Sequence, residues 1–209
     1  MVIAKQIARR LLEIGAVKLS PETPFTWASG WRSPIYCDNR IILSHPEVRS
    51  EVRDALIEAA KTYGQVDGIA GVATAGIPHG AMLADHLNLP FIYIRSQAKG
   101  HGRQNRIEGE LIPGGNYLLI EDLISTGGSV LEAATALRDA GGTVAGVQAI
   151  FTYEFQKSVD AFAAANTLFS TLSNYTSLLE VAVEEGKIAP DLLETLSEWR
   201  NDPGGWMQA

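Results

Sequence analysis

The stretch that most restricts what this chain can become is "YLLIEDLISTGGSV", running from Tyr117 to Val130. An apolar run long enough for a buried strand leads into two adjacent carboxylates, Glu121 and Asp122. An unpaired charge inside a buried strand is costly, so the strand is expected to end at Glu121. Ser125, Thr126, Gly127, Gly128 and Ser129 follow, and an amphipathic helix starts behind them. A plain strand-to-helix turn needs one glycine and one cap, whereas this loop carries two glycines and three hydroxyls. Backbone N–H groups wrapped in that way at a helix N-terminus hold an anion. No lysine lies in the loop, so it is not a Walker A nucleotide cradle. A sugar 5-phosphate fits better, with Glu121 and Asp122 about one ribose upstream to accept its hydroxyls. The bland alternative is a helix cap preceded by exposed acids.

Periodicity places the neighbours of this stretch. Ile3, Ile7, Leu11, Leu12 and Ile14 share a helical face that Gly15 closes. The Pro-, Ser- and Trp-rich segment from Pro21 to Arg40 is read as irregular or short-stranded. Ser44 and Glu47 match a capping box, with Val48, Val52, Leu56 and Ala59 continuing the apolar stripe. "VDGIAGVA", "PFIYIR", "NYLLIE", "TVAGVQAIFTY" and "NTLFSTLS" read as strands. "GIPHGAMLADHLN" and "GSVLEAATALRDAG" read as helices, and a further helix from Ser177 is expected to bury Leu178, Leu179, Val181 and Ala182. Between Ser96 and Gly115 the pattern vanishes into a polar, basic, glycine-rich segment, which implies either a functional lid or disorder. The tail from Asp202 is expected to fray. Alternating strands and helices imply an α/β fold, a doubly wound and mainly parallel sheet with ligands at the carboxyl ends of its strands.

The chain has 209 residues, 46% of them apolar and 20% charged, which is the composition of an ordinary globular protein and favours a single domain. A formal net charge of −7 argues against a nucleic-acid partner. Cys37 is the single cysteine, so intramolecular disulfides and cysteine-based metal clusters are excluded. The N-terminal stretch lacks the apolar core and cleavage site of a signal peptide, and no apolar run reaches membrane-spanning length. A cytoplasmic protein without membrane contact is therefore expected. His45, His79 and His86 lack ligand spacing and read as surface or cap residues. Trp199 and Trp206 read as packing a terminus.

Three segments together carry a resemblance. "EDLISTGGS" resembles the phosphoribosyl-diphosphate motif of type I phosphoribosyltransferases. "FTWASGWRSPIYCDNR" (Phe25 to Arg40) is similar to the hood segment of the orotate branch of that family, and "RSQAKGHG" (Arg95 to Gly102) is similar to that branch's mobile catalytic loop. The resemblance implies one domain over 1–209, with residues 1–43 contributing a hood. It implies Mg²⁺-dependent transfer of the phosphoribosyl group to orotate in pyrimidine nucleotide synthesis. Arg95, Lys99 and His101 would then contact the diphosphate, and Glu121, Asp122, Leu123, Ile124, Ser125, Thr126, Gly127, Gly128 and Ser129 would hold the ribose 5-phosphate. Ser125 would also touch orotate, and Lys99 and Asp122 would be the catalytic residues. No metal is expected to be held by the protein alone, because Mg²⁺ would ride on the substrate's diphosphate and hydroxyls. The resemblance further implies a homodimer whose loop reaches the neighbouring subunit's site.

The chain departs from some branches of the family. Ala28, Ala75 and Ser96 stand where those branches carry basic residues, and their arginine for the orotate carboxylate is missing after Ile150. Arg32 is a candidate substitute, its plain alternative being a surface arginine beside Trp31. Two rival functions remain: a phosphoribosyltransferase for another base, which should have a different hood, and a non-enzymatic regulator, which would need a basic DNA-binding face.

Overall fold

The computed structural model describes residues 2–27, 29–96 and 106–207. Helix α1 (Val2–Glu13) buries Ile7, Ala8 and Leu11, and stops before Gly15, which takes a φ of 70°. Two small antiparallel ribbons follow, β1 (Val17–Leu19) with a later strand and β2 (Phe25–Thr26) with β3 (Arg32–Ser33); the partner of β1 is β4 (Ile35–Cys37). Ribbons this short are marginal alone. They hold because Val17 and Ile35 enter the same apolar cluster as α1 and because Asp38 N–H donates to the Ala16 carbonyl at 2.7 Å.

Helix α2 (Pro46–Ala60) starts at a proline, whose fixed φ and missing N–H suit the first helical position. That start makes His45 the N-cap, without a side-chain bond, and leaves Ser44 at the end of a preceding 3-10 turn. The expected capping box of Ser44 and Glu47 therefore does not form. Val48, Val52 and Leu56 are buried as the stripe implied, and Ala59 is half-buried.

Strand β5 (Gly68–Val72) leads into helix α3 (Gly76–Leu87), then β6 (Phe91–Ile94) and β7 (Ile107–Glu108). Strand β8 (Asn116–Ile124) leads into α4 (Gly128–Asp139), and β9 (Thr143–Thr152) into α5 (Gln156–Ala164). Strand β10 (Phe169–Asn174), α6 (Tyr175–Glu184) and α7 (Leu193–Asn201) complete the chain. Among the described residues one six-stranded sheet runs β10-β9-β8-β5-β6-β7, parallel except for β7. All five residues of β5 are buried, as expected of a strand covered on both faces.

Helix α3 puts Leu83 into the cluster shared with Leu118 and Ile120, while α4 puts Val130 and Leu137 into the cluster shared with Tyr117 and Leu119. The helices after β5 and β8 thus cover opposite faces, and the order of the sheet reverses between these two strands. The carboxyl ends of β5 and β8 border the crevice in which such sheets bind ligands.

Four expectations are corrected. Strand β8 does not stop at Glu121; its pairing with β9 runs on to Ile124 opposite Thr152, so Glu121 and Asp122 lie inside it. Helix α5 has no counterpart in the sequence reading, because it buries only Ser158 and Phe162 and so shows little periodicity. The patternless segment after Ser96 contains β7, whose two residues are too few for a pattern. The tail after Asp202 is a turn rather than frayed, with Trp206 buried and its N–H donating to the Asp202 carbonyl at 3.0 Å. Among the described residues no helix is long and apolar enough to cross a membrane.

His79 is a further correction. It lies on the inward face of α3 with Gly76, Gly80 and Leu83, only 1% exposed, and neither ring nitrogen has a hydrogen-bond partner among the described residues. Burial lowers its pKa from 6.5 to about 4. Below pH 6.5 the unfolded chain takes up a proton that the folded chain refuses, so stability is lost as pH falls toward 4. Urea unfolding at pH 7 and pH 4.5 should therefore show wild type losing about 2 kcal/mol more than His79→Leu. Equal losses in the two proteins would show that His79 does not carry this linkage.

Candidate active site

The site is built where β5 and β8 end. After β5, the turn Ala73–Ala75 carries a cis peptide between Ala73 and Thr74 and hands over to α3. Ala75 is the N-cap of α3 and provides no side-chain bond. After β8, Gly127 is the N-cap of α4 with a φ of 82°, a left-handed conformation open to glycine, and again no side chain caps the helix. A Cβ at Gly127 would also sit 2.9 Å from the Phe162 ring. Two helix N-termini with uncapped N–H groups thus open beside each other, and each favours an anion. Glycine is what lets α3 come so close: a Cβ at Gly76 would run into the Ile120 carbonyl.

The carboxylates sit between these two termini. Pairing of β8 with β5 ends at Ile120 opposite Gly71, so the last residues of β8 have β9 on one side only. The freed Asp122 carbonyl accepts a hydrogen bond from Asn39 Nδ2 at 2.7 Å, and Asn39 is fully buried. The Cys37 thiol in turn donates to Asn39 Oδ1 at 3.4 Å, tying the β4 ribbon to the carboxylate strand. Glu121 is 7% exposed and its Oε1 accepts from the Asp122 N–H at 2.9 Å. Burial pushes the Glu121 carboxyl well above the usual carboxylate range, and the Asp122 charge adds to this. Burial raises Asp122 as well, while its hydrogen bond to Glu121 works in the opposite direction. Of the two, Glu121 is the one raised more strongly. Burial likewise pushes the Cys37 thiol up, assisted by the charges of Asp122 and Asp38.

A cavity of about 400 Å³ opens beside the carboxylates, lined by Thr26, Trp27, Tyr36, Cys37, Leu123, Ser125 and Tyr153. Trp27 and Tyr153 form an aromatic wall with ring centroids 5.1 Å apart. Such a slot fits a flat ring, and Ser125 offers it one hydroxyl. A larger cavity of about 600 Å³ lies between α1, α2 and β10, away from both helix N-termini.

Of the residues expected from sequence, Glu121, Asp122, Leu123 and Ile124 end β8, and Ser125, Thr126, Gly127, Gly128 and Ser129 form the turn into α4. Arg95 lies just past β6, where its Nη1 is 3.4 Å from Glu108 Oε1. Lys99 and His101 lie outside the described residues, as does Ala28. Arg32 is exposed and stands directly across the β2–β3 ribbon from Thr26, a cavity residue. Asn39, Trp27, Tyr36 and Tyr153 were not singled out from sequence. For Trp27 and Tyr36 the available signal was the cluster of aromatic residues between Phe25 and Tyr36; Asn39 and Tyr153 carried none.

A family profile described as "Phosphoribosyl transferase domain" matches residues 38–163. An orotate phosphoribosyltransferase of Cytophaga hutchinsonii is 52% identical over 207 residues, covering 99% of each chain. The chain belongs to the orotate phosphoribosyltransferase family. Its similarity to the orotate phosphoribosyltransferase of Lactococcus lactis subsp. cremoris is 53% identity over 207 residues, again 99% of each chain. Among solved structures, the orotate phosphoribosyltransferase of Aeropyrum pernix superposes with a TM-score of 0.76 at 27% identity, over 88% of this chain and 99% of that one. In this member of the family, Tyr153 and Glu154 follow β9, in the region where some branches carry an arginine. The Glu154 carboxylate turns away from the cavity: Oε2 accepts from Thr176 N and Oγ1, at 2.8 and 2.6 Å.

Proposed function

We propose that this chain transfers the 5-phosphoribosyl group from phosphoribosyl diphosphate to orotate, releasing diphosphate and giving orotidine 5-phosphate. The observation that carries this is the pair of uncapped helix N-termini flanking two carboxylates and an aromatic slot. Phosphoribosyl diphosphate is a ribose with an anion at each end. The turn from Ser125 to Ser129 takes the 5-phosphate, the Thr74–Gly76 turn takes part of the diphosphate, and Asp122 accepts from the ribose hydroxyls. The slot of Trp27, Tyr36 and Tyr153 holds the planar orotate ring, with Ser125 at its edge.

As the bond between the ribosyl carbon and diphosphate breaks, the orotate nitrogen bonds to that carbon from the opposite face. No covalent nucleophile on the protein is needed. Positive charge growing on the ribosyl ring meets the Asp122 carboxylate. Lys99, with Arg95 and His101, meets the charge collecting on the departing diphosphate, and a closing loop excludes water that would hydrolyse the ribosyl centre. Asp122, half-buried at the cleft, is a hard oxygen donor of the kind that suits Mg²⁺, an ion that prefers to keep phosphate and water ligands. Bound there through substrate oxygens, Mg²⁺ would supply charge neutralisation. We assign the hood role expected of residues 1–43 to the ribbons of β1 to β4, and the orotate carboxylate to Arg32. Cross-strand partners share a face of the ribbon, so Arg32 projects on the same side as Thr26.

Purified protein with Mg²⁺ and phosphoribosyl diphosphate should consume orotate and leave hypoxanthine and adenine untouched. Arg32→Ala should raise the orotate KM about tenfold, the scale of one lost charged hydrogen bond. Reaction with a purine and not with orotate would overturn the assignment, and an unchanged orotate KM would remove Arg32 from it.

Asp122→Asn should lower kcat/KM by about 2–4 kcal/mol while leaving the melting temperature near that of wild type. Near-normal activity in this variant would rule out the proposed charge role.

The family's shared-loop homodimer gives a test of its own. If Lys99 serves the neighbouring subunit's site, Lys99→Ala and Asp122→Asn homodimers should both be nearly inactive. Reassorting them would yield about half mixed dimers, each with one intact site, and roughly a quarter of wild-type activity should return. No recovery despite proven subunit exchange would show that the loop serves its own chain.

A further inference from the structure

The wall of the aromatic slot is not held by the slot's own elements. Trp27 follows β2, a strand of two residues in a ribbon of two strands, which cannot fix an indole by itself. Its ring lies 6.5 Å from that of Trp31 at the turn of its own ribbon, and its Nε1 donates across to the Ile35 carbonyl of β4 at 3.1 Å. Its other support comes from far along the chain. Trp199, on α7, meets Trp27 edge-on at 5.7 Å and 85°, and meets Tyr153 edge-on at 5.6 Å and 90°. These are the two rings that form the wall. Trp199 does not line the cavity and is completely buried behind them.

Two further rings hold Trp199 in place. Phe155 and Tyr175 pack on its indole, each at 5.2 Å. The next residue, Arg200, donates from Nη1 to Thr176 Oγ1 at 2.8 Å and lies 3.5 Å from Glu154 Oε2. Glu154 directly follows Tyr153, so this polar link ties α7 to the strand end that carries the wall. Beyond the helix, Gly204 lies against Trp31 so closely that a Cβ there would be 3.5 Å from the indole.

The indole at position 199 also carries a disadvantage. Its N–H is buried without a hydrogen-bond partner among the described residues, an unfavourable arrangement that a phenyl ring would avoid. That cost offsets part of what burying so large a ring contributes. What an indole adds is reach, since one rigid surface touches Trp27 and Tyr153 together.

We infer that Trp199 is a positioning residue for base recognition: the C-terminal helix braces Trp27 and Tyr153 from behind and so sets the width of the slot. This rests on reading the slot as the orotate site. The phosphoribosyl diphosphate subsites, built on the starts of α3 and α4, share none of these rings and should not feel the brace.

The test separates the two substrates. Trp199→Leu should raise the orotate KM at least tenfold while the phosphoribosyl diphosphate KM stays within twofold and kcat within threefold. Trp199→Phe should recover most of the orotate KM, with a melting temperature close to that of wild type. A general loss of structure would move both KM values together, and that result, or an orotate KM within twofold of wild type, would overturn the brace. If Trp199→Leu does not fold, Arg200→Met reads the same link from the exposed side. It should raise the orotate KM about threefold with the other KM unchanged, and no selective change would overturn the brace.

Failure of the orotate reading itself would show as wild type that does not consume orotate. The brace is then judged without substrate, by acrylamide quenching of Trp27 in a background of Trp31→Phe and Trp206→Phe. With Leu in place of Phe at position 199, quenching should rise at least twofold, and equal quenching would overturn it.

Discussion

The crevice depends on two neighbouring strands, β5 and β8, whose following helices leave for opposite faces of the sheet. That divergence opens it at the strand ends, and it is narrow because α3 rides almost on the backbone of β8. Gly76 meets the Ile120 carbonyl with no room for a methyl group, and Gly80 packs against Gly71 and the Phe91 ring with the same economy. The close approach places the open N-terminus of α3 beside that of α4. It also ends the pairing of β5 with β8 at Ile120, which leaves the following backbone groups of β8 to find other partners. Asn39 satisfies one of them and so joins the N-terminal segment to the end of β8.

An acidic chain that binds a polyanion must answer an electrostatic problem, and the structure answers it locally. Net charge describes solubility and long-range attraction, not the potential at one cleft. At the cleft, the anion sites proposed above are backbone N–H groups at two helix starts, which carry partial positive charge whatever the surface charge is. Of the two carboxylates at the end of β8, burial and the neighbouring Asp122 charge raise the Glu121 carboxyl well above the usual carboxylate range. Glu121 is the more buried of the pair, and Asp122, half-buried, is the carboxylate more open to the cleft.

Much of this was legible in the sequence because it rests on patterns of the backbone. The strand, the small hydroxylic turn and the helix of Tyr117–Val130 announce themselves through period and composition, and the sheet follows from alternation. What escaped is tertiary in origin. Nothing in the order of residues shows that β9 would extend β8 past Glu121, since that depends on a partner strand's length. Proline at position 46 overrode the capping signal of Ser44 because a fixed φ outweighs a side-chain bond. Helix α5 hides because it buries two residues only. His79 was misjudged since a lone histidine on a helix has the same local signature inside and outside, and the sheet it faces decides. The aromatic slot was missed because its walls come from residues 27, 36 and 153, which only the fold brings together.

The region after β9 shows how a loss of charge at one position becomes a different kind of site. Where some branches of the family present an arginine to the substrate, this chain presents Tyr153 to the slot and points Glu154 the other way, into a link with Thr176 and Arg200. An arginine recognises an anion by itself, through charge and a rigid fork of donors. A tyrosine ring recognises a flat partner only if an opposing surface stands at the right separation. Recognition by stacking therefore demands positional control that recognition by charge does not. The elements that supply it here, Trp27 in the ribbon and Trp199 on the last helix, are drawn from opposite ends of the chain. That demand gives a physical reason for the C-terminal segment to fold back over the ribbons: it closes the aromatic cluster of Trp27, Tyr153, Phe155, Tyr175 and Trp199 around the strand end that the substrate must meet.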